Sequence, residues 1–235
     1  MLPPGANHET FEPTPQDMEK LSGAELYFAV GPMDFEQNWL PRFTAAQPGL
    51  KVVNTSCGIR FIPGNPGDTS GIAEGKGIDP HTWLSPKAMK IQAANICAAL
   101  IGIDTAHAAV YRQNLIAFYR VADSVDDYIH KKLECCPGKA FLLFHPALAY
   151  FARDYGLQQI SIEEEGKEPS ASHLRNLIDL ARKKNIHVIY ISKEFDVRHA
   201  EAVAAEIGAR VIIFDPMAGN WPANLMHLAS MIAEN

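Results

Sequence analysis

Lys139-Ala140-Phe141-Leu142-Leu143-Phe144-His145-Pro146 decides how the rest of this sequence is read. Residues 141–144 form an unbroken apolar run. Such a run predicts a strand buried on both faces of a parallel sheet. His145 comes where that strand should end, and Pro146 suits the first position of a following helix. The C-terminal end of a parallel strand is where α/β proteins place ligand chemistry. A polar ring at that position is therefore a candidate functional group.

Downstream the pattern repeats. A strand over 158–162 leads into an acidic loop over 163–169. Ser170 caps a helix over 171–184. A strand over 188–192 leads to a helix over 197–207, stopped by Gly208. A strand over 210–214 leads to Asp215-Pro216 and a last helix from about residue 221. This βαβα rhythm demands a parallel sheet covered by helices.

Upstream, Leu115, Phe118, Ala122, Val125, Ile129 and Leu133 recur at spacings of three and four, the stripe of one long helix. About thirty residues at about 1.5 Å each give a rod of roughly 45 Å. That exceeds one small domain, so the rod reads as a spine joining two lobes. Pro137-Gly138 ends it. The expected division is an N-terminal α/β lobe over 1–103, a connecting helix over 104–136 and a C-terminal α/β lobe over 137–235.

In the first lobe, residues 3–15 carry Pro3, Pro4, Pro13 and Pro15 and must be irregular; His8 lies among them. Thr14 caps a short helix, with Pro15 at its first position and Asp17 three residues after the cap. A strand over 24–30, a helix from an Asp34 cap to about residue 46 and a strand over 50–53 follow. Residues 56–78 are glycine-rich and read as a surface loop. The loop ends at Asp79-Pro80-His81-Thr82-Trp83-Leu84-Ser85-Pro86, where Ser85 can cap and Pro86 can open the next helix. A chain that opens on Met-Leu-Pro-Pro-Gly starts within a loop, which reads as a fragment lacking an upstream segment.

The 235 residues are 47% hydrophobic and 20% charged, as in a soluble globular protein with a sizeable core. A net charge of −6 argues against binding a phosphate backbone, which needs a basic face. No run approaches the ~20 apolar residues of a membrane helix, and no signal peptide pattern is present. The four cysteines, Cys57, Cys97, Cys135 and Cys136, form neither a C-x-x-C nor a dense framework. They read as thiols, with a Cys57–Cys97 disulfide as the alternative.

Nine histidines occur, most of them within helical patterns or beside lysines. His8, His81 and His145 differ, since each lies in a loop or at a strand end flanked by Pro or Asp. With Asp215 they make a candidate metal set of three imidazoles and one carboxylate. These residues are far apart along the chain and match no short-spaced zinc motif such as H-E-x-x-H, so the site needs distant loops to converge. The set suits tetrahedral Zn²⁺, with Zn–N near ~2.0–2.1 Å; Mn²⁺ prefers more oxygen ligands. Four protein ligands leave no position for a catalytic water, which favours holding over hydrolysis. Asp79 reads first as a turn residue and second as a support for His81. Glu163-Glu164-Glu165 read first as a solvated loop; the alternatives are an oxygen ligand, a long-range attraction for the cation or, at Glu163 or Glu165, the general base of a metalloenzyme.

Several stretches together carry a family resemblance. They are Pro3-Pro4-Gly5-Ala6-Asn7-His8 with Phe11-Glu12-Pro13-Thr14-Pro15, the run Asp79 to Pro86 quoted above, and His145-Pro146-Ala147 with Tyr150-Phe151-Ala152. Tyr155-Gly156-Leu157-Gln158-Gln159, then Ile162 through the glutamates to Pro169-Ser170, and finally Asp215-Pro216 complete it. The sequence resembles the metal-binding solute-binding proteins of bacterial ABC importers, the zinc and manganese group that includes lipoprotein adhesins.

The resemblance implies two α/β lobes joined by one rigid helix, with the ion held between them by His8, His81, His145 and Asp215. It implies a non-enzymatic receptor in the periplasm or at the cell surface that delivers metal to a membrane permease. Histidine at the third ligand position goes with zinc in that group and glutamate with manganese, so His145 points to zinc. A manganese receptor or adhesin is the alternative, and a metal-dependent hydrolase a more distant one. Two departures stand out. Members usually have a signal peptide and a strand–helix–strand before the Pro-Pro-Gly loop, and zinc members often carry a His-rich loop where residues 58–78 hold no histidine.

Overall fold

Thr14 and Asp17 start the first helix of the computed structural model, which describes residues 11–64, 77–163, 169–193 and 195–235. In α1 (Pro15–Leu21) the Thr14 hydroxyl accepts the Asp17 amide at 3.3 Å, and the Asp17 carboxylate accepts the Thr14 amide at 3.1 Å. Two of the donors a helix start leaves over are satisfied reciprocally. Residues met by contact fall into two units, Met1–Ala122 and Asp123–Asn235.

In the first unit, β1 (Leu26–Ala29) and β2 (Lys51–Asn54) pair in parallel, Leu26 opposite Lys51. Between them runs α2 (Asp34–Ala46). Phe35 and Phe43 of α2 pack with Leu21 and Leu50, and Phe43 is fully buried. Each such side chain contributes about 1.5–3 kcal/mol relative to exposure. The cap of α2 is Met33 rather than Asp34; Asp34 opens the helix and, with Glu36, puts negative charge in its first turn. Glu36 is buried, and its carboxylate accepts the Val30 and Gly31 amides at 3.0 and 2.7 Å.

A 3-10 turn over Thr82–Leu84 precedes α3 (Pro86–Ile103), which starts as its sequence predicts, with the Ser85 hydroxyl accepting the Ala88 amide at 3.1 Å. A second 3-10 turn, Thr105–His107, leads to α4 (Ala108–Leu133), and the unit boundary falls inside this 26-residue helix.

In the second unit the elements are β3 (Ala140–Leu143), α5 (Ala149–Asp154), β4 (Gln158–Ser161), α6 (Ala171–Lys183), β5 (Val188–Ile191), α7 (Val197–Ile207), β6 (Arg210–Ile213) and α8 (Trp221–Glu234). The strands are all parallel in the order β4-β3-β5-β6, so the two apolar runs, β3 and β5, are central. Leu142, Ile189 and Ile191 pack with Leu177 and Ala181 of α6 and with Ala200, Val203 and Ala204 of α7. Phe141, Leu143, Val188 and Tyr190 alternate with them and are also buried. The α/β class with parallel sheets flanked by helices is therefore the observed one.

The start of α5 differs from expectation. Pro146 does not open it; Leu148 is the cap and the helix begins at Ala149. A residue before proline is held extended, and a short turn intervenes, with the Ala147 amide donating to the His145 carbonyl at 2.8 Å. The Leu148 amide is taken by the Gln159 side chain at 2.6 Å. Gly208 ends α7 at φ 69°, a left-handed cap that suits glycine. All four cysteines are free thiols, so the alternative Cys57–Cys97 bridge is not formed. Among the described residues no helix is long and apolar enough to cross a membrane.

Candidate metal centre

His81 sits at the start of the Thr82–Leu84 turn and is 2% exposed. The face of α3 fixes that turn. Gln92 donates to the hydroxyls of Ser56 and Thr82, both at 3.0 Å, and Asn95 donates to the carbonyls of Thr55 and Cys57. Asp79 then does two things at once. Its Oδ1 accepts the His81 backbone amide at 2.8 Å and lies 2.8 Å from the His81 ring Nδ1. Both readings of Asp79 hold together: it makes the turn and it orients the imidazole. Trp83 walls the ring, with centroids 5.2 Å apart.

His145 repeats the arrangement at the end of β3. Its Nδ1 lies 2.6 Å from Oε2 of Glu163, which follows β4, the strand beside β3. Both side chains are 9% exposed. Phe195 stacks on the imidazole at 5.2 Å with 19° between the planes. A carboxylate that accepts in each His–carboxylate contact requires the imidazole proton to sit on Nδ1. The lone pair is then on Nε2, the nitrogen a metal would take, and in His145 that atom is itself buried.

Asp215 follows β6. Its Oδ1 accepts the Met217 amide at 2.9 Å, and its Oδ2 is ion-paired to the Lys193 ammonium at 2.7 Å. A small cavity of about 10 Å³ opens at the ends of β3, β5 and β6, lined by Leu143, His145, Ala147, Ser192, Phe214 and Pro216. His145 thus shares a cavity with the two neighbours of Asp215. The volume accommodates one water-sized particle.

His8 and Glu165 lie outside the described residues. Among the described residues no three His, Cys, Asp or Glu side chains form a ready metal-holding group. What the structure does bring together is each buried histidine with its own carboxylate. An imidazole nitrogen and a carboxylate oxygen, as the second unit offers at His145 and Asp215, are donor types that fit Zn²⁺. Sequence reasoning overlooked Glu163 as the partner of His145 and Lys193 as the partner of Asp215.

The family model described as the periplasmic zinc-uptake complex component A (ZnuA) matches residues 1–235. A crystal structure of ZnuA superposes with a TM-score of 0.91 at 38% identity, covering 99% of this chain and 88% of the other. A putative metal-binding protein of Chlamydia muridarum is 30% identical over 230 residues, 95% of this chain and 78% of its own length. The high-affinity zinc uptake system protein ZnuA of Bacillus subtilis is 27% identical over 228 residues, 93% of this chain and 71% of its own length.

Proposed function

We propose, for a chain that belongs to the family of periplasmic zinc-uptake components, that it captures Zn²⁺ outside the cytoplasm and presents the ion to the permease of an ABC importer. The ligands in this proposal are His8, His81, His145 and Asp215. His81 and His145 act through Nε2, and Asp215 acts through a carboxylate oxygen. Residues 1–103 and 137–235 each supply two of the four, and residues 104–136 connect them.

The observation that carries this reading is the pair of carboxylate-locked imidazoles, Asp79–His81 and Glu163–His145, at 2.8 and 2.6 Å. A buried carboxylate behind a histidine raises the basicity of the ring and fixes its direction before the ion arrives. Zinc is the cargo rather than a resident cofactor. Imidazole nitrogens suit zinc, whereas manganese would be better served by a carboxylate at position 145.

The hydrolase reading needs a free general base. Glu163 is engaged with Nδ1 of His145, which makes it a support for a ligand and weakens that reading. Calorimetry on demetallated protein tests the proposal. A His81→Ala/His145→Ala double variant should lose zinc binding; unchanged affinity in that variant contradicts the assignment.

A further inference from the structure

Asp215 has a charged partner of its own. Lys193 holds its Oδ2 at 2.7 Å, with the two side chains 48% and 27% exposed. The loop that supplies Lys193 joins β5 to α7. It also supplies Phe195, stacked on His145, and Ser192, which lines the cavity with His145 and Pro216. Its far end is pinned where Asp196 caps α7 by accepting the Arg198 amide at 2.9 Å. One short loop therefore touches both candidate ligands of the second unit.

We infer that Lys193 is a built-in counter-cation for Asp215, which competes with an arriving metal ion for the carboxylate and weakens metal retention. The inference rests on Asp215 being a ligand as proposed above. An ammonium and a divalent cation on the same carboxylate repel one another, and the ammonium occupies acceptor sites on Oδ2 that the ion could otherwise use. In the metal-free receptor the ammonium keeps the carboxylate directed and neutralised. In the loaded receptor the nearby ammonium repels the ion. A receptor that must surrender its cargo gains from such a competitor, because tight capture without release would end transport.

The test compares zinc affinity, by competition with a chelating fluorophore, for the full chain and three variants. Lys193→Met should bind zinc roughly three- to tenfold more tightly, the size expected for one partly exposed charge. The gain should shrink as salt is raised, since the repulsion is screened. Lys193→Arg, which keeps the charge, should bind as the parent does. Asp215→Ala should lose affinity, and the Lys193→Met gain should vanish in the Asp215→Ala background. Equal or weaker binding by Lys193→Met, with Asp215→Ala impaired, overturns the counter-cation role alone. Unimpaired binding by Asp215→Ala overturns the ligand assignment itself.

Discussion

Oε2 of Glu163 lies 2.6 Å from Nδ1 of His145, across the pairing of β4 with β3. This contact sets which ring nitrogen of His145 would be offered to a metal. Glu163→Ala should lower zinc affinity about 10- to 100-fold, the usual cost of losing a carboxylate behind a metal-binding histidine. Glu163→Gln, whose amide oxygen still accepts from Nδ1, should fall between that variant and the parent. Chelator competition measures both.

Asp79 serves the turn and the ring of His81 together. Asp79→Ala removes the Oδ1 acceptor from the buried His81 amide and ring, and a buried polar group left unsatisfied costs about 1–3 kcal/mol. Urea unfolding of the metal-free protein should show that loss, and zinc affinity should fall with it. A variant with parent-like stability would mean that water or another group replaces the carboxylate.

Glu36 gives a pH signature apart from the metal. Burial holds its carboxyl above the ordinary 4.5, although the Gly31 and Val30 amides and the Tyr27 hydroxyl pull the other way. The folded protein therefore binds this proton more tightly than the unfolded chain. Its stabilising contribution is full below the ordinary value and is lost as pH rises through the raised one. Stability of the parent relative to Glu36→Gln should decline as pH rises above the ordinary carboxylate value, as followed by urea titrations. A difference that stays flat or grows with pH contradicts the assignment.

Leu142 is fully buried at the centre of the sheet. Leu142→Ala should cost about 2–5 kcal/mol in the unfolding free energy of the metal-free protein. A loss well under that range would mean the core collapses around the missing side chain.

The second unit was legible because β3 and β5 are apolar throughout, and only a strand covered on both faces asks for that. Helix starts were legible where a hydroxyl or carboxylate caps, as at Thr14, Ser85 and Ser170. Pro146 misled because proline favours a helix start yet also holds the residue before it extended, and here a turn came first. His81 and His145 stood out by their proline and aspartate neighbours. Their supports were less visible. Asp79 is two residues from His81 and was weighed, but Glu163 reaches His145 only because β4 lies beside β3. Lys193 meets Asp215 in the same way, because β5 lies beside β6. Contacts of that kind depend on strand order, which no local spacing encodes.

The most direct measurement is an anomalous scattering map at the zinc edge from crystals grown with zinc. The account predicts one strong peak about 2.0–2.2 Å from Nε2 of His81, Nε2 of His145 and a carboxylate oxygen of Asp215, with His8 completing the set. A peak that touches neither His81 nor His145, or that is bound through their Nδ1 atoms, would contradict it.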